Sequence, residues 1–254
     1  GKQRYFVKLN AREQLSMFEN EAAGLMEIHQ SQTLRVPLPI CCGCDNFSAW
    51  LVLEYLDLIG SASGKGRDFG KQLAAMHRTT ATHFGWNRNN TIGSTPQVNA
   101  ISSQWVDFWR THRLGYQLKL AQENGFNGKL QTLGENLLIE LDELLAEASP
   151  LASLLHGDLW SGNYAFDGSG NPVIFDPAVY YGDRETDMAM TELFGGFPAD
   201  FYSAYRHEYP LDPGYNTRKI VYNLYHILNH LNLFGSSYRR QAEQMMGFLL
   251  AEIR

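Results

Sequence analysis

The stretch from Leu154 to Asp176 constrains this chain more than any other part of it. Leu154 and Leu155 run into His156-Gly157-Asp158-Leu159-Trp160-Ser161-Gly162-Asn163. Tyr164-Ala165-Phe166 and Val173-Ile174-Phe175 then flank Asp167-Gly168-Ser169-Gly170-Asn171, and Asp176-Pro177 follows. Two short apolar runs around a turn rich in Gly and Asn predict a β-hairpin. A hairpin returns its two ends to the same place. It therefore carries Asp158 and Asn163, on the entering side, towards Asp176 on the leaving side. A turn or a strand end accounts for either half alone; three oxygen-bearing side chains gathered at one end of a hairpin point to a site.

The rest of the chain divides around this hairpin. Tyr5, Val7 and Leu9 alternate with Phe6 and Lys8, the period-2 pattern of a strand. Arg12 to His29 follows as a helix, with Leu15, Phe18, Ala22, Leu25 and Met26 near one face. Pro37 and Pro39 interrupt regular structure, and Ala49 to Leu53 reads as a short buried strand. The Gly- and Ser-rich run Ile59 to Gly66 reads as a loop. Helices are predicted at Asp68–Arg78, Ser102–Glu123 and Gly134–Glu147, and again from Thr186 onward with breaks near Pro198, Pro210 and Pro213. The fold class is α+β: a small β-rich part over residues 1–57 and a larger helical part over 58–254 that carries the hairpin. The chain enters a strand within its first ten residues, which predicts more of that sheet upstream of Gly1.

Composition excludes several partners. Acids outnumber bases 27 to 21, so the net charge of -6 offers no bulk attraction to nucleic acid or to an anionic membrane. No apolar run approaches the ~20 residues of a membrane span. Cys41, Cys42 and Cys44 lie too close together for a disulfide framework, and no second ligand pair follows at metal-binding spacing. They read as structural cysteines of a reducing compartment, and the expected location is cytoplasmic.

The spacing at the hairpin suits phosphoryl transfer. Asp158 and Asn163 are five residues apart, as in the D-x-x-x-x-N catalytic loop of kinases, and Asp176 stands where their metal-binding aspartate stands. Asp158 is then the catalytic base that orients a substrate hydroxyl and accepts its proton. Asn163 and Asp176 supply the oxygen ligands that Mg²⁺ prefers. Two upstream residues fit the same plan. Lys8 on the first strand would reach the phosphates of ATP, held by Glu21 of the next helix, with Glu19 a weaker candidate for that role. The backbone at Glu54 and Leu56 would pair with the adenine edge, although the local pattern there is equally that of an internal strand. Gly157 replaces the arginine of H-R-D, and only ten residues separate Asp176 from Asp187, with no A-P-E motif. A regulated platform for protein substrates is therefore not expected, and the acceptor is a small hydroxyl compound.

At this point the chain resembles the fructosamine/ketosamine-3-kinase family. The resemblance rests on L-L-H-G-D-L-W-S-G-N and P-V-I-F-D-P-A-V-Y-Y-G-D-R-E-T-D-M-A-M-T-E-L-F-G-G-F. Y-F-V-K-L-N, F-E-N-E-A-A-G-L, L-A-A-M-H-R, F-G-W-N-R-N-N-T-I-G-S-T-P-Q-V-N and W-V-D-F-W-R-T-H-R-L-G-Y-Q-L extend it over nearly the whole chain. It implies a two-lobed protein-kinase-like fold, with ATP and Mg²⁺ between the lobes. It also implies transfer of phosphate to the 3-hydroxyl of a ketoamine formed by glycation, a deglycation activity. The H-G-D…N…D core is shared with aminoglycoside and choline kinases, which supply the alternative reading. The family's glycine-rich turn would precede Lys8 and is absent from this sequence. Trp160 is expected to stack on the sugar or to pack in the core, and Asp183 and Arg184 to touch the acceptor or to lie in a solvated loop. Asp187 and His156 are expected to hold the catalytic loop by hydrogen bonds. His77 is expected to be a satisfied buried group. His226 and His230 are expected to pack near the acceptor pocket rather than to bind a metal.

Overall fold

A computed structural model describes residues 3–59, 65–146 and 148–253. The first sheet is antiparallel, with β1 (Tyr5–Ala11) at one edge, β2 (Pro39–Cys44) at the other and β3 (Ser48–Glu54) between them. Alternation in β3 buries Ala49, Leu51 and Leu53 against α1 (Leu15–Gln30), which contributes Phe18, Leu25 and Ile28. Lys8 pairs directly with Leu51. Opposed residues of an antiparallel pair share a face, so Lys8 lies on the side of the sheet that α1 covers. It is the one residue of β1 that is not exposed.

The chain then forms β4 (Leu58–Ile59), α2 (Gly66–His77) and β5 (Thr80–Ala81). A small hairpin follows, β6 (Asn90–Ile92) with β7 (Thr95–Gln97). Next come α3 (Trp105–Trp109), α4 (Gly115–Glu123), α5 (Lys129–Ile139) and α6 (Leu141–Leu145). The predicted hairpin is present as β9 (Tyr164–Asp167) and β10 (Pro172–Ile174), between β8 (Ala152–Leu155) and β11 (Tyr180–Gly182). The Asp167 carboxylate closes its turn by accepting hydrogen bonds from the Ser169 and Asn171 backbone. The chain ends in α7 (Glu185–Leu193), α8 (Ala199–Glu208), α9 (Tyr215–Phe234) and α10 (Arg239–Glu252). Among the described residues no helix is long and apolar enough to cross a membrane.

Several elements differ from the sequence expectation. Ile59, read as the start of a loop, joins Leu58 in β4, which pairs with Asp167 and Phe166 of β9. The other end of that loop, Gly66, opens α2, and residues 60–64 lie outside the described part. The long helix expected over Ser102–Glu123 begins only at Trp105, and a π-helical turn at Arg110–Leu114 divides it into α3 and α4. That wider turn lets Arg113 point inward, where it is fully buried. Its guanidinium lies 4.1 Å from the Tyr180 ring centroid and donates to the Val98 carbonyl and to Asn99 Oδ1. The helix expected from Gly134 starts earlier, at Lys129, and breaks at Glu140 before α6; its expected last residue, Glu147, is outside the described part.

Two contacts set the first sheet and α1 against the hairpin region. Gly24 of α1 lies against Val179, where an added Cβ would stand 3.2 Å from Val179 Cγ2. The Tyr181 hydroxyl donates to the Glu27 carboxylate at 2.7 Å. The larger core is aromatic: Phe69, Phe197 and Phe201 cluster around Tyr164, and Trp105, Trp109, Tyr222 and Tyr225 form a second group. Most of the later rings that stand out in the sequence, among them Phe201, Tyr205, Tyr215, Tyr222 and Tyr225, are core.

Candidate active site

The loop between β8 and β9 is held by its backbone before any side chain can act. Gly157 has φ +82°, and a Cβ there would stand 2.1 Å from the Ala178 carbonyl oxygen. Only glycine fits, which gives a physical reason for H-G-D rather than H-R-D. The buried Asp187 carboxylate, at the start of α7, accepts from the His156 backbone N–H at 2.7 Å and from Gly157 N–H at 2.9 Å. His77 Nε2–H also donates to it at 3.2 Å, and the Tyr205 hydroxyl donates to His77 Nδ1 at 2.7 Å. His156 donates from Nε2 to the Phe175 carbonyl at 3.0 Å and accepts at Nδ1 from the Asp158 backbone N–H at 3.3 Å. Burial lowers the pKa of both histidines, so both are neutral bracing groups. The structure has the bracing expected of Asp187 and His156, and His77 is the satisfied buried group expected.

This scaffold brings together five of the residues singled out in the sequence. Lys8 Nζ donates to Glu21 Oε1 and to Asp176 Oδ1, both at 2.7 Å. Glu19 is exposed and takes no part. Burial opposes the Lys8 charge, but the Glu21 and Asp176 carboxylates outweigh it and raise the pKa above the ordinary lysine value. Asp176 adopts left-handed backbone, φ +57°, which turns its carboxylate back towards Lys8. Asn163 donates from Nδ2 to the Asp158 carbonyl at 2.9 Å and to Asp158 Oδ2 at 3.3 Å. Asn163 Oδ1 and Asp176 Oδ2 have no hydrogen-bond partner among the described residues, and both residues line one cleft of about 630 Å³ with Lys8, Glu21 and Asp158. Two free hard oxygens at one wall suit Mg²⁺.

The Asp158 carboxyl is pushed up to about 7, chiefly by burial, with the nearby Asp187 and Asp176 charges adding to it and the Asn163 hydrogen bond opposing it. A carboxyl titrating near neutrality is poised to take a proton from an alcohol. If it is the base, kcat/KM measured at low concentrations of both substrates should fall as pH drops through about 7. The loss should approach tenfold per pH unit below that point. A profile flat down to pH 5 would remove Asp158 from the role.

Trp160 is 38% exposed, so it is not core. It forms a wall shared by the cleft and a second cavity of about 340 Å³, which Asp158 also lines. Asp183 and Arg184 correct the sequence reading: they lie neither at the acceptor side nor in a solvated loop. Asp183 is 3% exposed, accepts from the Tyr222 hydroxyl at 2.6 Å and caps the Glu185 backbone N–H. Arg184 is 6% exposed, donates to the Tyr209 and Pro210 carbonyls and stacks on the Tyr209 ring. A charged run that reads as a loop is instead the buried joint between β11 and α7. Glu54 and Leu56 do not join the cleft wall at Lys8. The Glu54 carboxylate is paired with Arg35, and its backbone N–H donates to the Leu38 carbonyl at 2.8 Å.

Residues of the β6–β7 hairpin, α7 and α9 complete the site. The β6–β7 hairpin supplies Asn90, Thr91, Gly93 and Ser94 to the cleft. Its buried amides also fix the strand after Asp176: Asn90 donates to the Val179 carbonyl at 2.8 Å and Gln97 to the Ala178 carbonyl at 3.0 Å. The second cavity is closed by Met190 and Phe194 of α7 and its flank, by His226, His230 and Phe234 of α9, and by Tyr238. The signal was present as I-G-S-T, a turn between two short β-prone runs, and as the i, i+4 spacing of the histidines.

A sequence model described as fructosamine kinase matches residues 1–252. A Synechocystis protein named "probable ketoamine kinase" is 50% identical over 247 residues, covering 97% of this chain and 83% of the relative. The chloroplastic protein-ribulosamine 3-kinase of Arabidopsis thaliana is 43% identical over 241 residues, covering 94% and 73%. A crystal structure of a fructosamine-3-kinase-type protein from Haemophilus somnus superposes with a TM-score of 0.90 at 30% identity, covering 98% and 84%. A choline kinase of Streptococcus pneumoniae, with a TM-score of 0.65 at 14% identity over 99% and 87% of the two chains, shares the fold alone.

Proposed function

The chain belongs to the fructosamine kinase family, and on that premise we propose that it transfers the γ-phosphate of ATP to the 3-hydroxyl of ketosamines such as fructosamine, ribulosamine and erythrulosamine adducts. The observation that carries the proposal is the place of Asp158 at the junction of the cleft and the second cavity, on the cleft lining that also holds Lys8, Asn163 and Asp176. In this reading the nucleotide phosphates occupy the cleft beside Lys8, which Glu21 holds in place. The Glu54 carbonyl and Leu56 backbone contact the adenine. Residues 1–57 form the smaller lobe, and the pairing of β4 with β9 supports counting residue 58 onward with the larger one.

Asp176 and Asn163 would hold Mg²⁺, which when bound neutralises phosphate charge. The other tasks fall to the protein. Lys8 adds positive charge at the phosphates. Asp158 orients the acceptor hydroxyl and takes its proton as the oxygen forms its bond to phosphorus. The Asn163 amide keeps the Asp158 carboxylate turned to the cleft, and Trp160 walls the acceptor side and offers its face to the sugar. A phosphate at C3 can leave as inorganic phosphate once C1 loses a proton, and water would then hydrolyse the resulting C1 imine to a 3-deoxy dicarbonyl, releasing the amine and so repairing the glycated group.

The direct test is a coupled assay of ADP release with ribuloselysine, fructoselysine, an aminoglycoside, choline and no acceptor. ADP release that depends on a ketoamine supports the proposal. Release with the aminoglycoside or choline alone would replace it with the wider phosphotransferase reading. Asp176→Ala should abolish the Mg²⁺-dependent part of ATP binding in calorimetry, and undiminished Mg²⁺-dependent binding would take Asp176 out of the metal role.

A further inference from the structure

One wall of the second cavity carries a buried imidazole without a hydrogen-bond partner. His226 is 4% exposed and lines that cavity together with Asp158 and Trp160. Neither of its ring nitrogens is hydrogen-bonded among the described residues. Its neighbours on α9 differ in this respect. Asn229 accepts from Gln117 and donates to the Ile92 carbonyl. His230 donates from Nδ1 to the His226 carbonyl at 2.8 Å and is boxed by the rings of Phe194, Phe234 and Tyr238. An imidazole with both ring nitrogens free keeps its full hydrogen-bonding capacity for whatever fills the cavity. Its presence at a cavity wall is explained if a ligand supplies the missing bond.

We infer that His226 is a specificity-determining residue that hydrogen-bonds a hydroxyl of the ketosamine's polyol tail, further along the sugar than the hydroxyl at Asp158. This rests on the kinase reading given above. Three features favour the sugar's tail over its amine. Apart from Asp158, the cavity is lined by no carboxylate that would attract the substrate's ammonium group. Its aromatic walls, Trp160, Phe194, Phe234 and Tyr238, suit the C–H faces of a polyol. The imidazole is held neutral: burial first, and the adjacent His230 second, lower its pKa to about 3. A neutral imidazole has one donor and one acceptor nitrogen, matching a hydroxyl, which both donates and accepts. The amine, which in a glycated protein continues into the polypeptide, then leaves through the open cleft side.

The test compares wild type, His226→Ala and His226→Gln on lysine ketosamines with four-, five- and six-carbon sugars, alongside the affinity for ATP. His226→Ala should lower kcat/KM by about 10- to 100-fold for the sugars long enough to carry the contacted hydroxyl. The shortest sugar should lose less than about threefold, and ATP affinity should not change. His226→Gln, which keeps a donor and an acceptor, should recover part of the loss on the long sugars only. An equal loss on all three sugars, or none on any, would overturn the inference. So would an Ala variant with weakened ATP binding whose Gln counterpart fails to recover the long sugars. A wild-type protein that phosphorylates no ketosamine would instead overturn the kinase reading itself.

Discussion

Asp158→Asn is expected to lower kcat by about 10²–10⁴-fold, the range for loss of a general base, while ATP affinity stays essentially unchanged. The amide keeps the shape of the carboxylate and an oxygen to accept the Asn163 hydrogen bond, now at 3.3 Å. What it cannot do is take a proton. The residual activity should lack the acidic limb near pH 7. Stability should respond the opposite way to activity. Burial raises the Asp158 pKa above its unfolded value, so the folded state binds the proton more tightly. This group therefore lowers stability as pH rises from about 4 to about 7. The asparagine removes that penalty, and the melting temperature at pH 8 should hold or rise. A variant with near-normal kcat would reject Asp158 as base; one that is inactive and unfolded would show that the carboxylate is structural.

Asp187→Ala is expected to destabilise the protein by about 3–5 kcal/mol, because three buried donors lose their acceptor and each costs about 1–3 kcal/mol when left unsatisfied. The two backbone N–H groups at His156 and Gly157 and the His77 ring N–H would lose their common acceptor in a dry interior. Burial disfavours the Asp187 charge, yet the hydrogen bonds donated by His77 and the Gly157 backbone help to keep its pKa below the ordinary value. The stabilisation is thus present above the unfolded carboxyl pKa and disappears as pH falls through the lower folded one. Urea midpoints at pH 7 give the magnitude. A loss under about 1 kcal/mol would mean that the loop is held mainly by Gly157 and Ala178 packing. Asp187→Asn should fall between, since one of its atoms donates where the backbone needs an acceptor.

The sites of these two substitutions also show which features a reader of the sequence can and cannot see. Asp158, Asn163 and Asp176 are legible because a hairpin with a recognisable turn joins them, and local chain geometry fixes their meeting. Lys8 and Glu21 are legible for a related reason: alternation gives the face of the strand, and the next helix covers that face. Asp183 and Arg184 are not legible in this way. Charge in a loop-like run reads as solvated, and nothing local announces that Tyr222 and the Tyr209–Pro210 carbonyls wait to receive it. The long helix around Arg113 fails likewise. Its apolar periodicity is continuous, and much of what receives the buried guanidinium at the π-helical turn, the Tyr180 and Tyr225 rings and the Val98 and Asn99 oxygens, lies outside the helix.

By itself the sequence determined the order of the catalytic loop, the metal-type carboxylate after it and the strand lysine with its helix glutamate. Each depends on residues close in the chain or on the two short periods of strand and helix. The sequence places His226 and His230 near the acceptor side, but only tertiary structure decided that the β6–β7 hairpin joins α9 in closing a pocket beside Asp158, and that the His226 ring has no partner there among the described residues. Contacts between segments so far apart are set by how whole helices pack on a shared core, and no local pattern of residues encodes where a packed helix will come to rest.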